Sequence, residues 1–169
     1  MLKQVMIAVL AISATVSSGQ DAQPSRWIVK ATTHELDGSV DYSAVLPSAR
    51  PLLGTVGQAE NAVFYAVCGQ HGLALGVVWP DIVDYDPQIN SAVLAWSLDG
   101  GKVHNDLWDA DVKSVGMHGG KARKLLASLL SAKRFVILVP DHHGNQEAVF
   151  DLTGIQAATS TLPCAAKRS

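Results

Sequence analysis

Residues 62–79 do most to limit what this chain can fold into. They read Ala-Val-Phe-Tyr-Ala-Val-Cys, then Gly-Gln-His-Gly, then Leu-Ala-Leu-Gly-Val-Val-Trp. Two apolar runs of strand length around a short glycine-bearing loop predict a β-hairpin. Neither run alternates cleanly, so both strands are expected to be covered on both faces and to lie at the centre of the core. Pro80 stops the second run, because proline has no N–H to give to a ladder.

The segments around it are punctuated in the same way. Trp27 to Thr33 is rich in β-formers, and Asp37-Gly38 supplies a turn. Val40, Tyr42, Ala44 and Leu46 then alternate with period two, which means one buried and one wet face. Residues 47–57 read as a loop. Ser91–Leu98 and Lys102–Trp108 flank Asp99-Gly100-Gly101, a second hairpin signal. The period changes at Ala122, Leu125, Leu126, Leu129 and Leu130, which predicts an amphipathic helix from about Gly120 to Ala132. Arg134–Val139 and Glu147–Asp151 are expected strands, and a short last helix is expected from Thr153, its N-cap, with Ile155, Ala158 and Leu162 on one face. Hairpins dominate, so the expected fold is mainly β with two helices (α+β), a single antiparallel two-sheet sandwich-like domain.

The 169 residues, 48 % of them hydrophobic, suffice for one domain with a substantial core. A formal net charge of −2 gives no footprint for nucleic acid. Residues 1–19 read as a signal peptide: Lys3 is the charged start, Val5–Ile12 the apolar stretch, and Ser17-Ser18-Gly19 the small-residue cleavage site. The apolar run is shorter than the roughly 20 residues that cross a bilayer, and no later stretch spans one. Residues 20–169 then form the single β-rich domain, with its core at about 26–164. In an oxidising compartment the two cysteines, Cys68 and Cys164, are expected to form one disulfide. Closing so long a loop stabilises the fold by at most about 4–5 kcal/mol in the chain-entropy picture.

Catalytic patterns are scarce. The histidines 34, 71, 104, 118, 142 and 143 include no H-E-x-x-H. There is no G-x-S-x-G elbow, and the glycine pairs before Lys102 and Lys121 lack the spacing of a phosphate loop. Asp81, Asp84 and Asp86 follow Trp79-Pro80, and Asp106, Asp109 and Asp111 surround Trp108, but neither group has the spacing of a calcium loop. No catalytic residue, cofactor or metal is therefore assigned. Were a metal site to form, its candidates are His142, His143 and His118. The stretch Pro-Asp-His-His-Gly-Asn, residues 140–145, is read instead as the turn between the last two strands, whose Pro140, Asp141, Gly144 and Asn145 are turn formers. Lys121, Arg123 and Lys124 on the helix offer a binding face.

The order of features resembles a known family. Trp27-Ile-Val, Leu36-Asp-Gly-Ser-Val40, the strand ending in Cys68, Leu73–Trp79, Lys124-Leu-Leu, Arg134-Phe-Val, Phe150-Asp-Leu-Thr-Gly154 and the closing Leu162-Pro-Cys164 are similar to the VasI/TagO periplasmic proteins of type VI secretion loci, and more distantly to IalB-like exported proteins. The resemblance implies an exported, non-enzymatic β protein with a Cys68–Cys164 bond, and it transfers no catalytic residue. The expectation is thus a periplasmic or secreted accessory protein that binds an envelope or secretion-system protein or a cell-wall component, with no nucleic acid partner and no membrane span once the signal is removed. The competing reading is a small envelope metal-binding protein or hydrolase that uses His142 and His143.

Overall fold

In the computed structural model, residues 26–165 are described, and the signal segment expected at residues 1–19 lies outside them. The strands are β1 (Ile28–Thr33), β2 (Val40–Pro47), β3 (Leu52–Leu53), β4 (Ala59–Glu60), β5 (Val63–Gly69), β6 (Gly72–Val78), β7 (Ser91–Leu98), β8 (His104–Asp111), β9 (Ser114–His118), β10 (Arg134–Asp141) and β11 (Gly144–Asp151). The helices are α1 (Gly119–Leu129) and α2 (Ile155–Ser160). Nine strands form one antiparallel sheet in the order β1-β2-β5-β6-β9-β8-β7-β10-β11, and β3 pairs with β4 alone.

The fold is mainly β with two helices, as the hairpin signals require. The two layers of the sandwich are the two halves of one curled sheet. Phe64 on β5 meets Phe135 on β10 and Phe150 on β11 at ring-centroid distances of 5.8 and 5.9 Å, although these strands are far apart in sheet order. The Ala49 N–H donates to the Val149 carbonyl at 2.7 Å, so the chain leaving β2 docks onto the last strand. Both layers bury their apolar sides in a single cluster that includes Leu46, Phe64, Leu75, Val77, Trp79, Leu94, Trp108, Ile137 and Phe150. Burying one large aliphatic or aromatic side chain contributes about 1.5–3 kcal/mol, so this cluster is the main stabilising term.

Several expectations need correction. The β5–β6 hairpin is at the core, but it is not covered on both faces. Phe64, Ala66, Leu73, Leu75 and Val77 are buried, whereas Val63, Tyr65, Val67 and Ala74 are half-buried and Val78 is exposed. Apolar residues on the outer face made a half-covered strand look fully buried. Tyr65 lies across the outer faces of Gly76 and Gly116, which stand opposite each other in register. A Cβ at Gly116 would sit 2.7 Å from the tyrosine hydroxyl, and one at Gly76 would meet both that hydroxyl and the Val115 carbonyl. Glycine is therefore required at both positions by close approach.

Strand β9 is not among the elements that the sequence pattern predicts. Its short Val115-Gly-Met117 pattern carries no strand signal alone, but it is buried between β6 and β8. The helix starts and ends earlier than its apolar stripe suggested, with Ala122, Leu125, Leu126 and Leu129 buried against β6 and β9. It begins at Gly119 with φ +58°, a backbone angle that favours glycine. The N-cap of α2 is Gly154, not Thr153. The Asp151 carboxylate accepts from the Thr153 N–H at 3.0 Å and its hydroxyl at 2.7 Å, which holds Thr153 in a turn before the helix.

The expected disulfide is present. Cys68 and Cys164 are bonded, with Cα atoms 5.6 Å apart and a sequence separation of 96. It ties the segment after α2 to β5. No helix among the described residues is long and apolar enough to cross a membrane.

Candidate functional site

The β10–β11 hairpin is tighter than its sequence suggested. Asp141 pairs with Gly144, so His142 and His143 are the two central residues of the turn. Gly144 takes a φ of +109°, which only glycine adopts without strain. This end of the hairpin is stitched to the chain leaving β6. The Asp84 N–H donates to the Pro140 carbonyl at 2.9 Å, and the His142 N–H donates to the Ile82 carbonyl at 2.9 Å. That stitching carries Asp81 under the turn.

Three side chains then converge. The His143 Nδ1 lies 2.6 Å from the Asp81 Oδ2, and the His143 backbone N–H donates to the same oxygen at 3.2 Å and to the Asp141 Oδ1 at 3.0 Å. The Asp141 Oδ2 accepts from the Trp79 indole at 2.8 Å and from the Gln146 amide at 2.7 Å. Gln146 also bonds both backbone groups of Leu53, which joins β3 to the same network. Asp81 is fully buried and Asp141 is 5 % exposed, while the His143 side chain is 31 % exposed. Burial pushes the Asp81 carboxyl up, but the nearby N–H of Ile82 and the hydrogen bond and charge of His143 outweigh it and hold the group below the usual carboxylate range. The Asp81 Oδ1 is buried and has no hydrogen-bond partner.

Of the three histidines named as metal candidates, only His143 joins this cluster, in which one ligand atom from each of Asp81, Asp141 and His143 lies within 4.8 Å of the others. His142 is exposed, its ring 5.5 Å from that of His143. His118 ends β9 and lines a different hollow of about 410 Å³ with His34, His71 and Asp41. There the His34 Nε2 is 2.9 Å from Asp41, and that hydrogen bond and the aspartate's charge raise the His34 pKa.

The lysine face takes part in a second feature. Lys121 and Lys124 line a groove of about 420 Å³ between α1 and strands β7 and β8. Arg123 is exposed and is not among the residues lining it. Its opposite wall is Trp96 stacked on His104, with centroids 4.3 Å apart and planes 13° apart. The Trp96 indole donates to Asp106 at 2.7 Å, which fixes the ring, and Leu107, Met117 and Leu125 supply apolar lining. Sequence reading found the lysines but not this wall, because Trp96 and His104 meet only through the β7–β8 register. It likewise missed Asp81 as the partner of His143. The signal available was an aspartate directly after a strand-ending Trp-Pro, and nothing in it marks burial. Two of the other acids near strand ends serve as turn acceptors: Asp86 accepts from the Gln88 N–H and Asp111 from the Lys113 N–H.

No family model, curated protein or solved structure matches this chain.

Proposed function

We propose that this chain is an exported accessory domain that acts by binding, and that its ligand is an acidic, aromatic-bearing segment of an envelope or secretion-system protein. The observation that carries the reading is the groove between α1 and β7–β8. A rigid Trp96–His104 platform faces two lysine ammonium groups across an apolar floor. Aromatic anchors flanked by positive charge are the composition of binding hot spots. Neither lysine forms an ion pair with another described residue, so both charges are available to a partner's carboxylates.

Two further features support the setting. The Cys68–Cys164 bond suits an oxidising compartment. The resemblance to the VasI/TagO proteins points to the periplasm and to a secretion assembly. The test is a titration of the disulfide-intact protein with Asp/Glu-rich peptides carrying one aromatic residue, followed by tryptophan fluorescence and calorimetry. Binding is expected to fall at least tenfold in the Lys121→Glu/Lys124→Glu double variant, with folding unchanged. Equal binding by that variant, or binding of cell-wall fragments and not of peptides, would replace the acidic segment as ligand.

A further inference from the structure

We propose that Asp81, Asp141 and His143 form a binding site for one divalent first-row cation of the zinc class. Two carboxylates and one imidazole are the ligand types such ions take. The three ligand atoms already lie within 4.8 Å of one another. An ion about 2.0–2.2 Å from each ligand holds two ligand atoms at most about 4.4 Å apart, so the widest separation has to close slightly, and the 2.6 Å contact between His143 Nδ1 and Asp81 opens where that nitrogen is the ligand.

Two independent observations point to a cation. The first is the Asp81 Oδ1, buried and without a hydrogen-bond partner. Every other oxygen of the two carboxylates accepts at least one hydrogen bond. An orphaned carboxylate oxygen in a buried setting forfeits its solvation, and the Ile82 N–H that favours the Asp81 charge makes no hydrogen bond to this oxygen that would replace it. The second is the charge count. Two buried carboxylates face one imidazole, and among the described residues neither forms an ion pair with a lysine or arginine. A neutral, metal-binding imidazole leaves both negative charges for the ion to compensate.

The surroundings are arranged to hold ligands in place. Trp79 and Gln146 both donate to the Asp141 Oδ2 and so fix its carboxylate plane. Such outer hydrogen bonds set ligand orientation in metal sites. The ligands come from the loop after β6, the end of β10 and the turn, and the cross-links from Asp84 to Pro140 and from His142 to Ile82 bind these segments together. The partly exposed His143 leaves the ion a way in from solvent. The site therefore explains why a histidine stands at His143, which turn geometry does not.

The test uses the untagged, disulfide-intact protein, stripped with chelator and titrated with Zn²⁺ by calorimetry and with Co²⁺ by visible absorption. One equivalent is expected to bind, with cobalt d–d bands and a rise in melting temperature on adding zinc. Asp81→Asn and His143→Ala each alter a ligand and are each expected to weaken binding by more than the about tenfold to hundredfold that losing an outer hydrogen-bond partner costs. His142→Ala and His118→Ala are expected to bind as the parent does. Absence of stoichiometric binding by the unaltered protein overturns the site, whatever the variants do. Loss of the ion in His142→Ala or His118→Ala, or its retention in folded His143→Ala, overturns this ligand set. His143 is in a partly exposed turn, so that variant keeps the test decisive even if Asp81→Asn does not fold.

Discussion

Two tryptophan–aspartate pairs in this molecule have almost the same geometry and very different surroundings. Trp79 donates to Asp141 at 2.8 Å, and Trp96 donates to Asp106 at 2.7 Å. Trp79 and Asp141 are buried, and the carboxylate also serves Gln146 and the backbone of His143. Asp106 is exposed, and Trp96 keeps part of its ring at the wall of an open groove. A hydrogen bond in water replaces another of similar strength, whereas one in the interior is the only alternative to an unsolvated polar group. The same pair therefore organises structure at one place and displays an aromatic ring at the other.

The largest expected effect comes from removing the buried acceptor. Asp141→Ala strands the Trp79 indole and the Gln146 amide, and it is expected to cost about 2–5 kcal/mol, since each buried donor left without a partner costs about 1–3 kcal/mol. Asp106→Ala is expected to cost less than about 1 kcal/mol, because water replaces the lost acceptor. Urea denaturation of the two variants measures the contrast, and equal costs would erase it. Removing the donors sharpens the same point. Trp79→Phe is expected to cost about 1.5–3 kcal/mol, the range for a hydrogen bond to a charged group. Trp96→Phe is expected to change stability by under about 0.5 kcal/mol, as surface changes do, while weakening the acidic peptide. A Trp96→Phe variant that loses stability as Trp79→Phe does would mean that the groove wall is part of the core.

The smallest effect belongs to Tyr65, which is neither buried nor free. Burial raises its pKa above 10, and the charges of Asp111 and Asp109 add to this. The folded phenol keeps its proton at a pH where the unfolded one loses it. Its contribution is thus complete below pH 10 and declines as pH rises through the folded value. Alkaline denaturation is expected to set in more steeply in the parent than in Tyr65→Phe, and parallel curves would remove Tyr65 from the account.

How much of this was legible in the sequence follows from the range of each interaction. The hairpins, the helix stripe and the cysteine pair are written in local patterns of two, three or four residues, or in a count of two. Lys121 and Lys124 were found because helical spacing is local. Trp96 and His104 required the register of two strands, and Asp81 required a contact with His143 across 62 positions. The β9 strand was missed for a related reason. Its place between β6 and β8 supplies the burial that three residues of pattern cannot express. The histidine turn is a turn, as expected, but Pro140 and Asn145 lie paired in its strands, and turn chemistry accounts for Gly144 and not for the imidazole that meets Asp81.

The Cys68–Cys164 bond has a mechanical consequence. Tension applied between the two ends of the described chain passes through the sulfur bridge, so the backbone between Cys68 and Cys164 is bypassed by the covalent load path. That shielded stretch holds Trp96, His104, Lys121 and Lys124 of the groove and Asp81, Asp141 and His143 of the carboxylate cluster. A domain tethered by its termini and pulled by a moving partner can thus extend β1 and β2 while its binding surfaces keep their shape. A cut in an exposed turn of the same stretch leaves two pieces that are still covalently one molecule.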